Sequence, residues 1–185
     1  MVLLAALTTT AAALQHEQQM LSEKLIRLHV VANSDDPEDQ KLKLKVRDAV
    51  LEVTAQISDK SQLAQALPKI EQAAKRCLFI NGSGDTVAVS LQKEHFTTRV
   101  YDNFSLPAGV YTALRVNIGA AQGQNWWCVA FPSICFCATA DDLEQAALTG
   151  GFEEDEIALI TEDGGEYVLK FKLLELLDDL KESIF

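Results

Sequence analysis

Apolar and polar residues alternate from Lys24 to Val31, with Ile26, Leu28 and Val30 on one side and Arg27 and His29 on the other. That period of two predicts a half-buried strand. Asp36-Pro37-Glu38-Asp39 follows as a helix start: Asp36 suits the cap, Pro37 the first helical position, and the two acids the helix dipole. Leu42, Val46, Ala49, Val50, Val53 and Ile57 then recur at helical spacing. A second helix is expected from about Ser61 to Leu78, with Pro68 a point where it could kink or break. Asn81 to Asp85 reads as a loop and Thr86 to Leu91 as a strand. A short connection through Phe96 and Tyr101 leads to a turn at Leu106-Pro107-Ala108-Gly109.

From Val110 to Ile118 the alternation returns, with Leu114, Val116 and Ile118 opposite Tyr111, Arg115 and Asn117. Gly119 to Gly123 is a loop, and Asn125 to Phe131 the next strand. Residues 138–166 read as acidic and loop-like, with a short strand at Ile157 to Thr161 and a turn at Asp163-Gly164-Gly165. Tyr167 to Ile184 closes the chain as a helix striped by Leu173, Leu177, Leu180 and Ile184. The order β-α-α-β-β-β-(β)-α predicts a single α/β (α+β) domain over residues 23–185, a mixed sheet with helices packed on it.

Charge changes the picture by its distribution. Residues 1–115 carry 13 Lys/Arg against 13 Asp/Glu, whereas residues 116–185 carry 3 against 14, the whole of the net −11. A polyanion partner needs basic patches, so nucleic acid is disfavoured. Lys41, Lys43, Lys45 and Arg47 share no single helix face and read as solvated surface. The run from Met1 to Leu14 is apolar and ends in small residues, like the core of an export signal, with Ala11 and Ala13 framing a cleavage site. It lacks a positive leading region, so residues 1–22 fit either a truncated signal or an ordinary apolar helix.

The densest chemistry lies between Gly123 and Cys137, which holds both tryptophans and three of the four cysteines around Pro132. If Cys128 ends a strand and Cys135 follows the turn, their Cα atoms can approach to disulfide distance. Cys77 and Cys137 then remain, free and buried or joined in a second bridge. Cys135-x-Cys137 is too tight for a zinc knuckle and has no nearby His, so no metal is expected, and no motif calls for a cofactor. Cys128 paired with His29 or His95 would make a nucleophile, but a cysteine enzyme wants a lone thiol in a positive, exposed setting. Among extended residues Trp126 and Trp127 point to opposite sides. Arg27 and His29 on the first strand and Tyr111, Arg115 and Asn117 on a later one would line one non-core face, either solvated scaffold or a recognition surface.

Several stretches together carry a family likeness. They are Ile26-Arg27-Leu28-His29-Val30-Val31-Ala32-Asn33-Ser34-Asp35, then Asp39-Gln40-x-Leu42-Lys43-x-Lys45-Val46-Arg47-Asp48-Ala49-Val50, then Tyr101-Asp102-Asn103-Phe104-x-Leu106-Pro107-Ala108-Gly109-x-Tyr111-x-Ala113-Leu114. Gly119, Gly123 and the block from Asn125-Trp126-Trp127-Cys128-Val129 to Cys135-Phe136 complete the set. In this the chain resembles the stage II sporulation protein R family of endospore-forming Firmicutes. The stretches cover most of residues 24–136 in order.

The resemblance implies a secreted signalling protein and not an enzyme. It would be made in the forespore and exported into the space between the forespore and mother-cell membranes. There it would trigger a mother-cell membrane protease of the aspartic type, which removes the pro-sequence of sigma-E. The expected mechanism is preferential binding to the protease's active state, with no small-molecule substrate. The candidate docking surface is Arg27, His29, Tyr111, Arg115 and Asn117 with Trp126 and Trp127. An extracellular hydrolase using Cys128 is the main alternative, and a wall- or peptide-binding module the third.

Overall fold

The computed structural model of the chain describes His16, residues 18–135, Cys137 and residues 139–161. The export-signal run at residues 1–14, the turn at Asp163-Gly164-Gly165 and the expected closing helix from Tyr167 to Ile184 lie outside these. The described residues form six strands: β1 (Ile26–Val31), β2 (Val87–Phe96), β3 (Arg99–Val100), β4 (Ser105–Leu106), β5 (Gly109–Ile118) and β6 (Asn125–Phe131). Four helices accompany them: α1 (Pro37–Thr54), α2 (Leu63–Ile80), α3 (Ala140–Thr149) and α4 (Glu154–Thr161). Residues 18–24 are also helical. The sheet order is β2-β5-β1-β6, with β1 parallel to β5 and the other pairs antiparallel, while β3 and β4 form a separate two-stranded ribbon. The mixed α/β architecture expected from the sequence is the one observed.

Both faces of the sheet are covered. Ile26, Leu28, Val30, Leu114, Val116, Ile118, Cys128 and Ala130 meet Val46, Val50, Ile70, Ala74 and Leu78 of α1 and α2 in one core. On the opposite face Tyr111, Ala113, Val129 and Phe96 meet Leu21, Leu106, Leu143, Ala147, Phe152, Ile157 and Ile160 in a second core. This second layer corrects two expectations. β1 is buried along its whole length, not half-buried, because helices lie on both sides of it. Residues 140–149 and 154–161 are helices instead of acidic loop and strand. Their other acids face water and Glu156 pairs with Lys24, while Leu143, Ala147, Ile157 and Ile160 seal the sheet, and Thr139 caps α3 by accepting from the Asp142 N–H.

Two smaller differences have local causes. α2 runs unbroken through Pro68. Pro68 lies only two turns from the start, and a 3-10 turn at Lys60–Gln62 leads into the helix. Asp36 holds the cap position of α1 but makes no side-chain cap bond. Ser34 instead orders the chain just ahead of the helix: its Oγ accepts from the Asp36 N–H at 3.1 Å and donates to Asp39 Oδ2 at 2.6 Å.

The turn after β1 is locked to the β5–β6 turn. Asn33 Nδ2 donates to Asp39 at 2.9 Å, while its Oδ1 accepts from the Ala120 N–H, also at 2.9 Å. Asp35 Oδ1 accepts from the Gln124 N–H at 2.7 Å. The amides of Gln122 and Gly123 donate to the carbonyls of Asn33 and Ala32. The bonds from Ser34 and Asn33 hold the Asp39 carboxyl below its ordinary pKa. Such close approach needs glycine. A Cβ on Gly123 would lie 2.1 Å from the Ser34 carbonyl oxygen, and one on Gly119, at φ +56°, 2.2 Å from Asn33 Oδ1.

Candidate functional site: a polar cluster on the open half of the sheet

The second layer covers only one end of its face. Beyond Ala113 the face opens, with Ala88, Ser90, Gln92 and Asn125 exposed and Arg115, Asn117 and Trp127 half-buried. The strand register puts His29 beside Arg115 on one side and Trp127 on the other. His29 Nδ1 lies 2.7 Å from Glu94 Oε2, and its Nε2 lies 2.8 Å from Asn125 Oδ1. The Arg115 guanidinium donates to Glu94 Oε1 at 2.9 Å and, through Nε, to Asn117 Oδ1 at 2.9 Å. Gln92 adds a third bond to Glu94 at 2.6 Å. One histidine near the sheet's centre is thereby tied to side chains from the other three strands.

Burial raises the Glu94 pKa, but the hydrogen bonds from Arg115 and His29 together outweigh it and hold the carboxyl below its ordinary value. Trp127 stacks on the His29 ring, centroids 5.6 Å apart, and carries the Arg99 guanidinium at 4.0 Å from its own centroid. Trp126 points to the other face of β6, is 37% exposed, and has Arg47 of α1 over its ring at 4.5 Å. Neither tryptophan is buried in a core. Arg47 is therefore an aromatic partner, and Lys43 is no surface charge either: it is buried, bonded to Gln40 Oε1 and the Gln124 carbonyl, with its pKa lowered by that burial.

Arg27 and Tyr111 share the face but not the opening. Both have no exposed surface, so their place among docking residues is corrected: the second layer lies over them. The Arg27 guanidinium donates to the Cys128 carbonyl at 3.2 Å and to the Tyr101 hydroxyl at 3.0 Å, and sits over the rings of Phe96 (4.4 Å) and Tyr111 (5.1 Å). Its Nη1 has no partner among the described residues. The Tyr111 hydroxyl donates to the Pro107 carbonyl at 2.8 Å, and burial raises its pKa. Of the residues expected on one surface, Arg115, Asn117 and Trp127 share the open face with His29 beneath, and Trp126 is exposed on the opposite face of β6.

Cys128 and Cys135 are joined in a disulfide, their Cα atoms 6.0 Å apart. The candidate nucleophile is thus already bonded, and both His29 nitrogens face neighbouring oxygens. Cys77 and Cys137 are free and half-buried, their thiol pKa values raised by burial. Among the described residues no group of three or more His, Cys, Asp or Glu is placed to hold a metal ion. None of their helices is long and apolar enough to cross a membrane.

The family model for stage II sporulation protein R matches residues 22–141, which include both sheet faces, the Asn33–Gly123 lock and the disulfide. The chain belongs to the stage II sporulation protein R family. A curated relative of that name from Bacillus subtilis (strain 168) is 36% identical over 135 residues, covering 69% of this chain and 60% of the relative. The chain thus spans about 60% of that relative's length. No solved structure matches it. Within the family stretches, Asn33, Ser34, Asp35, Asp39, Gly119 and Gly123 build the lock, and Arg27, Tyr101 and Tyr111 the buried network.

Glu94, Gln92, Arg99 and Asn125 are the site residues that sequence inspection missed. The alternation of β2 gives no signal for the first two: past Leu91 it stops in four consecutive polar residues, Gln92-Lys93-Glu94-His95, where the strand was expected to end. Arg99 and Asn125 owe their places to the ribbon and to the β1–β6 register, neither of which alternation reveals.

Proposed function

We propose that the chain is an exported, non-catalytic signal of sporulation. It acts in the space between the forespore and mother-cell membranes, where it docks on a membrane-embedded aspartic-type protease and favours the active state that processes pro-sigma-E. Family membership supports a sporulation role, and the disulfide suits an oxidising compartment. The observation that carries the docking surface is Arg115: Glu94 and Asn117 fix its guanidinium at the rim of an open sheet face, with His29 standing between it and Trp127. A pre-oriented arginine and a half-buried tryptophan on one open face are residue types enriched at interface anchors. Binding only the active form would shift the protease's equilibrium by the difference in affinity.

The test is co-expression of the protease and pro-sigma-E with and without this chain, scoring removal of the pro-sequence. Processing is expected only with the chain, and Arg115→Glu should abolish it, whereas Glu94→Gln, which loosens the same ion pair but keeps the arginine, should retain it in part. Processing that is independent of the chain would overturn the function. Full processing with a folded Arg115→Glu variant would remove this surface from it.

A further inference from the structure

The two edges of the sheet are finished differently. At β6 the outward backbone is used within the chain: the Val129 N–H donates to Cys135 Sγ at 3.3 Å, and the Trp127 carbonyl accepts from the Tyr101 hydroxyl at 3.4 Å. Just before the strand, Asp35 and Lys43 take the N–H and carbonyl of Gln124. Among the described residues β2 has no such cover. Its ladder with β5 runs through ten consecutive pairs without a register shift, and it contains no proline.

The Gly119 N–H donates to the Thr86 carbonyl, which sets the parity of that ladder. Thr86, Ala88, Ser90, Gln92 and Glu94 turn their backbone groups toward β5. Val87, Val89, Leu91, Lys93 and His95 therefore present N–H and C=O outward, a row that meets no strand among the described residues. Natural edge strands are normally blunted by bulges, prolines or charges; this one carries Lys93 and the inward Glu94, both toward its C-terminal end, but is straight and ten residues long.

We propose that β2 pairs with β2 of a second copy of this chain, antiparallel about a twofold axis at Leu91, to make one eight-stranded sheet. The sequence is self-complementary in that register. Leu91 faces Leu91, Val89 faces Lys93, Val87 faces His95, Ser90 faces Gln92 and Ala88 faces Glu94, so no like charges stand opposite. A register centred on Lys93 would oppose two lysines. Val89 and Leu91, half-buried in one copy, gain apolar neighbours. Because the β6 edge is already blunted, pairing stops at two copies and gives a closed dimer, not a fibre. The axis lies perpendicular to the sheet, so both Arg115 surfaces face the same way and the dimer is bivalent.

Sedimentation of the oxidised full chain over a range of concentrations tests this without the protease. The expected result is a doubling of sedimenting mass as concentration rises. Lys93→Pro removes an outward N–H that bonds the Val89 carbonyl of the second copy and leaves the β5 ladder intact. It should stay monomeric while keeping the parent's tryptophan spectrum. Leu91→Cys in a Cys77→Ser, Cys137→Ser background should oxidise to a covalent dimer, because directly opposed residues lie within disulfide reach; this arm also decides the matter if Lys93→Pro does not fold. A mass that stays monomeric at every concentration overturns the proposal. So does a dimer that survives Lys93→Pro and yields no Leu91→Cys cross-link.

Discussion

Glu94 on the outer strand β2 lies 2.7 Å from His29 on β1, reaching across the intervening strand β5. Ala113 makes room for this: it sits between Tyr111 and Arg115 on that face and is small enough to be bridged. The carboxylate's second oxygen holds Arg115, so a single charge both steadies the sheet and fixes the guanidinium on its open face. Glu94→Gln should cost about 1–3 kcal/mol, the usual cost of leaving a buried polar partner unsatisfied, read as a lower denaturant midpoint.

The same pair sets a pH dependence. Glu94 titrates below its ordinary value in the folded protein, so the unfolded chain binds its proton first as pH falls. The stability it contributes is present above the unfolded value, roughly pH 4.3, and is lost as pH drops through the lower folded value. Thermal melts between pH 6 and 3 should show that loss, and Glu94→Gln should flatten its steepest part. An unchanged acid limb in the variant would mean that other carboxyls dominate it.

Reduction of the Cys128–Cys135 bridge opens a loop of seven residues. On the chain-entropy estimate this costs about 2–3 kcal/mol, or roughly 4–12 °C in melting temperature for a chain of this size. Calorimetry with and without dithiothreitol measures it. Cys128→Ala with Cys135→Ala should reproduce the reduced value.

Arg27 separates packing from charge. Its guanidinium lies on Phe96 and Tyr111 with no carboxylate bonded to it among the described residues. Arg27→Ala should cost about 3–5 kcal/mol, through a cavity and two stranded acceptors. Arg27→Met fills the same volume and removes the desolvated charge, so it should cost less than half as much. Urea denaturation of both variants makes the comparison, and equal losses would contradict it.

Gly123→Ala places a methyl against the Ser34 carbonyl, and Gly119→Ala adds a positive φ to a clash with Asn33. Each should lose about 1–3 kcal/mol. Hydrogen exchange at Gln122, Gly123 and Gln124 should rise before the global transition, because those amides close the lock.

The strands were legible because period two survives burial on both faces. Ile26, Leu28 and Val30 mark one side even though the other is also covered. The second layer was not legible. Residues 138–161 carry seven acids and no base, which reads as solvated loop, although Leu143 with Ala147 and Ile157 with Ile160 stand at helical spacing. Arg27 misled for a related reason. A charged residue at an alternating position reads as solvent-facing, and only the rings of Phe96 and Tyr111, distant in sequence, make its burial tolerable. Arg115 and Asn117 were legible as one face of β5, whereas Glu94 was cut off by ending β2 too soon.

The Tyr101 hydroxyl receives a hydrogen bond from Arg27 and gives one to the Trp127 carbonyl, which makes one phenol the relay between a buried cation and the rim. Any ligand that pulled the Trp127 backbone away would weaken the relay at its far end. Engagement of the rim would then be felt in the interior as a less settled charge. A surface tethered in this way is costly to deform, and it would favour partners that accept its shape over partners that reshape it.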